Sequence, residues 1–234
     1  MPKLALFNSS KKYLIQSIEL GDQHYPKHLL DLSDPPERLF FIGDIEVLVR
    51  PSIAIVGSRE ASVQGLHYAH WFASKLSLAG YHVISGLARG VDSAAHRGAI
   101  EKGPPYKTIA VCGNGLDSVY PKENSFLATQ IAENGLILSE YPPGVGPKSF
   151  HFPRRNRIIA ALSIGAVVIE AAQKSGSLIT ANIANALGRE VFAIPGPITS
   201  KLYEGSHRLI QQGAKLVTKV EDILEEFPKH PSFL

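Results

Sequence analysis

The sequence predicts an α/β fold: a mostly parallel, doubly wound sheet with helices on both faces, spanning residues 51–228. Two patterns predict it. Short apolar runs recur along this stretch, each ended by Gly or Ser, and strands that are apolar throughout belong to parallel sheets covered on both sides. Helical segments alternate with these runs, which is the signature of strand–helix–strand crossovers, almost always right-handed.

Residues 1–50 are irregular and are expected to form a short extension packed on the core. Pro26, Pro35 and Pro36 interrupt them, and the apolar run 39–42 reads as an edge strand. Strands then follow at "IAIVGS" (53–58), "YHVISG" (81–86), "KTIAVCG" (107–113), "GLILSE" (135–140), "GAVVIEA" (165–171) and "EVFAIPG" (190–196). Between the first two, residues 63–80 place Leu66, Ala69, Trp71, Phe72, Leu76 and Leu78 largely on one side and stop at Gly80, a helix C-terminal signal. A second helix begins near Asp92, a candidate N-cap. A third runs from Ser175 to Gly188, and residues 205–227 add a helix, a short strand and a final helix. Residues 229–234 read as a tail.

Composition narrows the function classes. The chain has 234 residues, 44% hydrophobic and 19% charged, with a formal net charge of +3. That tilt is too mild to argue for nucleic acid by itself, so local clustering must carry the case. A single cysteine, Cys112, excludes an internal disulfide framework and points to a reducing compartment, the cytoplasm. No run approaches the roughly 20 apolar residues of a membrane span, and the N-terminus lacks the pattern of a signal peptide.

In open α/β sheets ligands bind beyond the carboxyl ends of the strands. The loops predicted there are rich in Gly, Ser, Arg and Lys. A dinucleotide fingerprint is missing: Gly57 is followed by Ser58 and Arg59, with no glycine until Gly65, and the next strand ends in Ser85 and Gly86 rather than an acid. No Walker A motif is present. "KSGS" (174–177) sits at a strand-to-helix junction. Ser175, Gly176 and Ser177 there could let an anion approach backbone amides beside Lys174, or a serine could simply cap the helix.

The densest cluster is "KSFHFPRRNRIIAALS" (148–163). Lys148, Arg154, Arg155, Asn156 and Arg157 gather at one loop and helix start, where the macrodipole disfavours cations, so a negative partner is required. That partner is either a nucleic-acid backbone or internal carboxylates such as Glu140 and Glu170. Tyr141, Phe150, His151 and Phe152 interleave with the cations. Single-stranded nucleic acid binds by base stacking on rings with Arg and Lys tracking phosphates, and Phe152 is the ring expected to be exposed. Arg59 and Arg89, at strand ends, read equally as surface arginines or as contacts. Catalytic patterns are thin. Asp92 and His96 are four apart, which a cap and a surface histidine explain, and Cys112 has no histidine partner in sight. No metal or cofactor motif occurs, and none is expected.

Seven blocks, taken in order, carry a resemblance: "VGSR", "VISGLARGVDSAAHRGA", "GNGLDSVYP", "GLILSEYPPG", "FPRRNRIIAALS", "SGSLITANIANALGREVFAIPG" and "GSHRLIQQGAKLV". Together they resemble the DNA-processing protein A (DprA/Smf) family from about residue 25 to about 225. The resemblance implies an extended Rossmann-like domain that binds single-stranded DNA without a dinucleotide. It also implies protection of incoming strands in natural transformation, assistance to loading of the RecA recombinase, and a homodimer. The family's DNA contacts fall on Arg59, Lys148, Phe152 and Lys174, with Ser175, Gly176 and Ser177 lining a phosphate pocket; Arg155, Asn156 and Arg157 are carried as further candidates. Many members have a helical domain before this part and a winged-helix-type domain after it; this sequence has only a short leader and is expected to be a minimal member. Two other readings stand beside this one. Phosphoribohydrolases on a related core carry P-G-G-x-G-T-x-x-E where this chain reads "EAAQKSGSLIT". A scaffold could use Leu209, Ile210, Leu216 and Val217 as a dimer face, although core packing is the default.

Overall fold

The computed structural model describes residues 4–8 and 11–227; the predicted tail, 229–234, lies outside them. Strands β1 (Leu4–Asn8) and β2 (Lys11–Leu14) form an antiparallel hairpin. Buried Ala5 and Tyr13 pack it onto Leu127, Ala128 and Ile131 of a helix on the sheet's outer flank.

The main sheet has nine strands among the described residues: β3 (Gln16–Glu19), β4 (Arg38–Gly43), β5 (Ser52–Gly57), β6 (His82–Ser85), β7 (Thr108–Cys112), β8 (Leu136–Ser139), β9 (Gly165–Ile169), β10 (Glu190–Ala193) and β11 (Lys215–Leu216). Their order is β11-β10-β9-β5-β6-β7-β8-β4-β3. Strands β5 to β11 are mutually parallel, and β4 pairs antiparallel with both β8 and β3. The run 39–42, expected at an edge, is therefore an interior strand. Residues 16–43, expected to lie against the core, supply two strands of the sheet itself.

Helices α1 (Val63–Leu78), α2 (Val91–Ile100), α3 (Ser125–Asn134), α4 (His151–Leu162), α5 (Ser177–Ala186), α6 (Glu204–Gln211) and α7 (Glu221–Leu224) cover both faces. Strand residues alternate between the two cores, as the period of 2 requires. Ala54, Val56, Ala166 and Val168 pack with Ile158, Ile159 and Ala181 of α4 and α5. Ile53, Ile55, Val167 and Ile169 pack with Ala69, Phe72 and Ala95 of α1 and α2. Gly80 has φ +87°, and Tyr81 N–H donates to the Leu76 carbonyl at 3.0 Å, closing α1 at the predicted position.

The winding reverses between β5 and β9, because β5 leads outward through β6, β7 and β8 while β9 returns to its other side. Binding in this class of sheet falls at that crevice. Gly57, at the end of β5, is required there, since a Cβ would run into the Ile169 carbonyl oxygen of β9. One residue on, the fully buried Glu170 accepts from Ser62 N–H at 2.8 Å, from the Ser62 hydroxyl, and from Tyr203 Oη at 3.0 Å. Ser62 in turn caps α1 by accepting from Gly65 N–H at 3.0 Å. Ser62→Ala should cost about 0.5–2 kcal/mol in urea unfolding, the range of a lost N-cap; an unchanged midpoint would show that neither α1 nor Glu170 needs this hydroxyl.

Two expectations on α2 are corrected. Its N-cap is Gly90, at φ +71°, not Asp92. Asp92 sits inside the first turn and folds back, accepting from Gly86 N–H at 3.1 Å and Ala88 N–H at 3.3 Å. His96 is fully buried rather than at the surface, bonded through Nδ1 to Thr108 Oγ1 at 2.8 Å. Burial there pushes its pKa down to about 3, so it is neutral and structural.

Candidate nucleic-acid interface

A cleft of about 760 Å³ opens at the β5/β9 switch point. Its walls come from the loops after β5 (Ser58, Arg59), before α4 (Lys148, Ser149), and between β9 and α5 (Lys174, Ser175, Gly176); α4 itself adds Phe152, Arg155 and Asn156, and α5 adds its first residue, Ser177. The sequence-predicted residues thus converge from four loops and helix starts, with Arg157 the exception.

Arg59, Lys148 and Lys174 are exposed and form no ion pair with a described residue. Arg59 lies over the Phe152 ring at 5.2 Å, a cation–π arrangement. Phe152 is half-buried, with Tyr120 tilted against it at 5.5 Å. Gly113 makes room for this ring, because a Cβ there would sit 2.8 Å from it. The most exposed ring of the loop is Phe150, at 63%, with Lys148 Nζ 5.8 Å from its centroid. Tyr141 and His151 serve as anchors: they stack at 3.9 Å, and His151 Nδ1 meets the Gly113 carbonyl at 3.1 Å.

The helix start that gathers so many cations finds its counter-charges inside the protein. Arg157 turns away from the cleft, pairing with Glu140 and lying 3.5 Å from Asp34. Arg154 pairs with the same two acids at 3.3 Å each. Arg157, expected at the DNA, is accordingly reassigned to holding residues 32–36 and the loop after β8 against α4. Glu170, the other candidate partner, is taken up by α1. Arg155 lines the cleft floor but is only 4% exposed. It donates to the Gly86 carbonyl at 2.6 Å, to the Val111 carbonyl, and through Nε to Asn156 Oδ1 at 3.1 Å. It thereby ties α4 to the ends of β6 and β7. Burial pulls the Arg155 pKa down and pushes that of the nearby Asp92 carboxyl up, each charge partly offsetting the other's shift. Asn156 carries this tie onward by donating to the Gly176 carbonyl at 3.2 Å.

The 174–177 turn resolves the two readings left open for it only in part. The N-cap of α5 is Gly176, which has no side chain to cap the helix, so neither serine is the cap residue. The Ser175 and Ser177 hydroxyls bond each other at 2.7 Å, and Ser175 Oγ accepts weakly from Ser177 N–H at 3.4 Å. The sequence reading passed over Tyr120, Ser58, Ser149 and the exposure of Phe150. Tyr120 had a visible signal, since it ends the block "GNGLDSVYP". Cys112 is buried and its thiol is pushed up to about 11, which leaves no thiolate for nucleophilic work.

The doubly wound sheet and the basic, ring-lined cleft at its switch point place the chain in the Rossmann-like class, with a candidate binding cleft where that class binds its ligands. Residues 16–228 match the family model described as DNA recombination-mediator protein A. DNA processing protein DprA of Streptococcus pneumoniae is 48% identical over 211 residues, covering 90% of this chain and 74% of the relative. Protein Smf of Escherichia coli is 46% identical over 209 residues, 89% of this chain and 55% of the relative. The chain belongs to the DNA recombination-mediator protein A (DprA/Smf) family. The solved structure of the S. pneumoniae protein superposes with a TM-score of 0.88 over 92% of this chain and 75% of that one. DNA processing protein A from Helicobacter pylori, described for its single-stranded DNA binding mode, gives 0.81 at 31% identity over 91% and 94%. A molybdenum cofactor binding protein from Rippkaea orientalis, 17% identical with a TM-score of 0.53, shares the fold alone.

Proposed function

We propose that this chain is a non-enzymatic, cytoplasmic single-stranded DNA-binding protein that acts as a recombination mediator. In this reading it protects incoming strands and assists RecA loading in natural transformation, as a homodimer. The observation that carries the DNA reading is the cleft itself: Arg59, Lys148 and Lys174 line it together with Phe152, Arg59 lies over that ring, and none of the three cations pairs with a described carboxylate. Phosphates supply the missing negative charge, while rings take unpaired bases. Duplex bases are stacked on one another and cannot reach a ring recessed in such a cleft, so single strands are favoured.

Fluorescence anisotropy with a labelled oligothymidylate and its duplex tests this. The single strand should bind more tightly at about 50 mM salt and weaken steeply toward about 200 mM. Equal affinity for the two forms, or none for the single strand, overturns the reading. A light-scattering titration with and without DNA, then with RecA added, tests the assembly steps separately.

A further inference from the structure

Behind the wall formed by Arg59 and Phe152 lies a smaller cavity of about 60 Å³, lined also by Gly86, Ala88, Arg89, Gly113, Tyr120 and Arg155. It shares Arg59, Ala88, Tyr120, Phe152 and Arg155 with the main cleft. Arg89, at its rim, is engaged by Glu123, which follows the loop bearing Tyr120. Both Nε and Nη2 of Arg89 donate to the two carboxylate oxygens of Glu123, the second at 3.0 Å.

We propose that Arg89 is a further phosphate contact of the DNA cleft, held in the free protein by Glu123 standing in for a phosphodiester. This rests on the single-stranded DNA reading of the main cleft. Three observations support it. The fork that Arg89 offers Glu123 is the fork that suits two phosphate oxygens. The pair is open to solvent on both sides, 64% and 52% exposed, so exchanging the carboxylate for a phosphate costs little. Tyr120, 46% exposed and tilted against Phe152, carries the aromatic surface from the main cleft to this rim. A strand that stacks on Phe152 and continues over Tyr120 brings its next phosphate to Arg89. Glu123 must then swing away, so it lowers affinity for DNA and keeps Arg89 from collecting other anions.

The test measures oligothymidylate affinity by anisotropy at about 50 and 200 mM salt for the unaltered protein, Glu123→Gln, Arg89→Gln and the double variant. Glu123→Gln should bind more tightly at both salt concentrations with its log–log salt slope unchanged, because Arg89 meets the phosphate in both proteins. Arg89→Gln should bind more weakly than Glu123→Gln and flatten the slope by about 0.7, one contact's worth. The gain should vanish when Arg89→Gln is combined with it, and Glu123→Ala should behave as Glu123→Gln does. A flat response to Glu123→Gln overturns the proposal. So does a gain that survives in the Arg89→Gln background, because Glu123 then acts only through the general field. If the unaltered protein binds normally in either case, the cleft reading stands; if the unaltered protein binds no single strand, both fall.

Discussion

Arg155→Met is expected to cost about 3–5 kcal/mol of folding stability, since two buried carbonyls lose their donor at about 1–3 kcal/mol each and a buried carboxylate loses its nearby cation. The cost has two sources. The guanidinium satisfies the carbonyls of Gly86 and Val111 at the ends of two strands, and both would be left without it. Asp92 would lose the cation that offsets its burial, and its carboxyl pKa, already raised, would climb further. A carboxyl whose folded pKa lies above its unfolded value binds protons more tightly when folded, so stability falls as pH rises through that window. The deficit of the variant should therefore be smallest near the ordinary carboxylate value of 3.8 and grow toward neutrality. Urea unfolding at several pH values measures it. A midpoint close to that of the unaltered protein would mean that Arg155 is not the tie between α4 and the sheet.

Converting Arg59, Lys148 and Lys174 together to alanine should have the opposite profile. All three are exposed and none is paired with a described carboxylate, so stability should move within about 0.5 kcal/mol for each. Single-strand affinity, in contrast, should collapse. Three phosphate contacts at roughly 0.7 each flatten the log–log salt slope by about 2. Anisotropy across a salt series measures the slope, and thermal melting confirms the fold. A variant that keeps the slope while binding weakly would move the phosphate contacts elsewhere. The contrast with Arg155 matters because all four cations line one cleft, yet Arg155 is bonded into the fold and the other three have no described counter-charge.

That division was partly legible. The strands from 53 onward announce themselves by uninterrupted apolar runs, and the loops rich in Gly, Ser, Arg and Lys fall at their carboxyl ends as the topology requires. The fate of each arginine on α4 was encoded less openly. Arg155 stands three, four and seven residues before Ile158, Ile159 and Leu162, on the stripe that a helix turns toward its core. Arg154 and Arg157 are three apart and share another side, which meets Asp34 and Glu140. Helical spacing separates these sides, but nothing local says that an acid more than a hundred residues upstream, or a loop after β8, will arrive opposite them. The interior place of β4 was hidden for a similar reason. Its partners β3 and β8 lie far apart in the chain, and antiparallel addition to a parallel sheet leaves no periodic trace. Asp92 misled because an acid at a helix start resembles a cap, whereas its side chain here satisfies the loop behind it.

The proposed function places DNA in the switch-point cleft, with bases against Phe152 and the more exposed rings of Phe150 and Tyr120. Photo-cross-linking with an oligonucleotide containing 5-iododeoxyuridine, followed by mapping of the modified peptides, tests that placement directly. Cross-links should concentrate on the segment carrying Phe150 and Phe152 and on the one carrying Tyr120, and should disappear when Arg59, Lys148 and Lys174 are neutralised. Cross-links confined to α6, α7 or the outer face of α1, unchanged by that neutralisation, would contradict it.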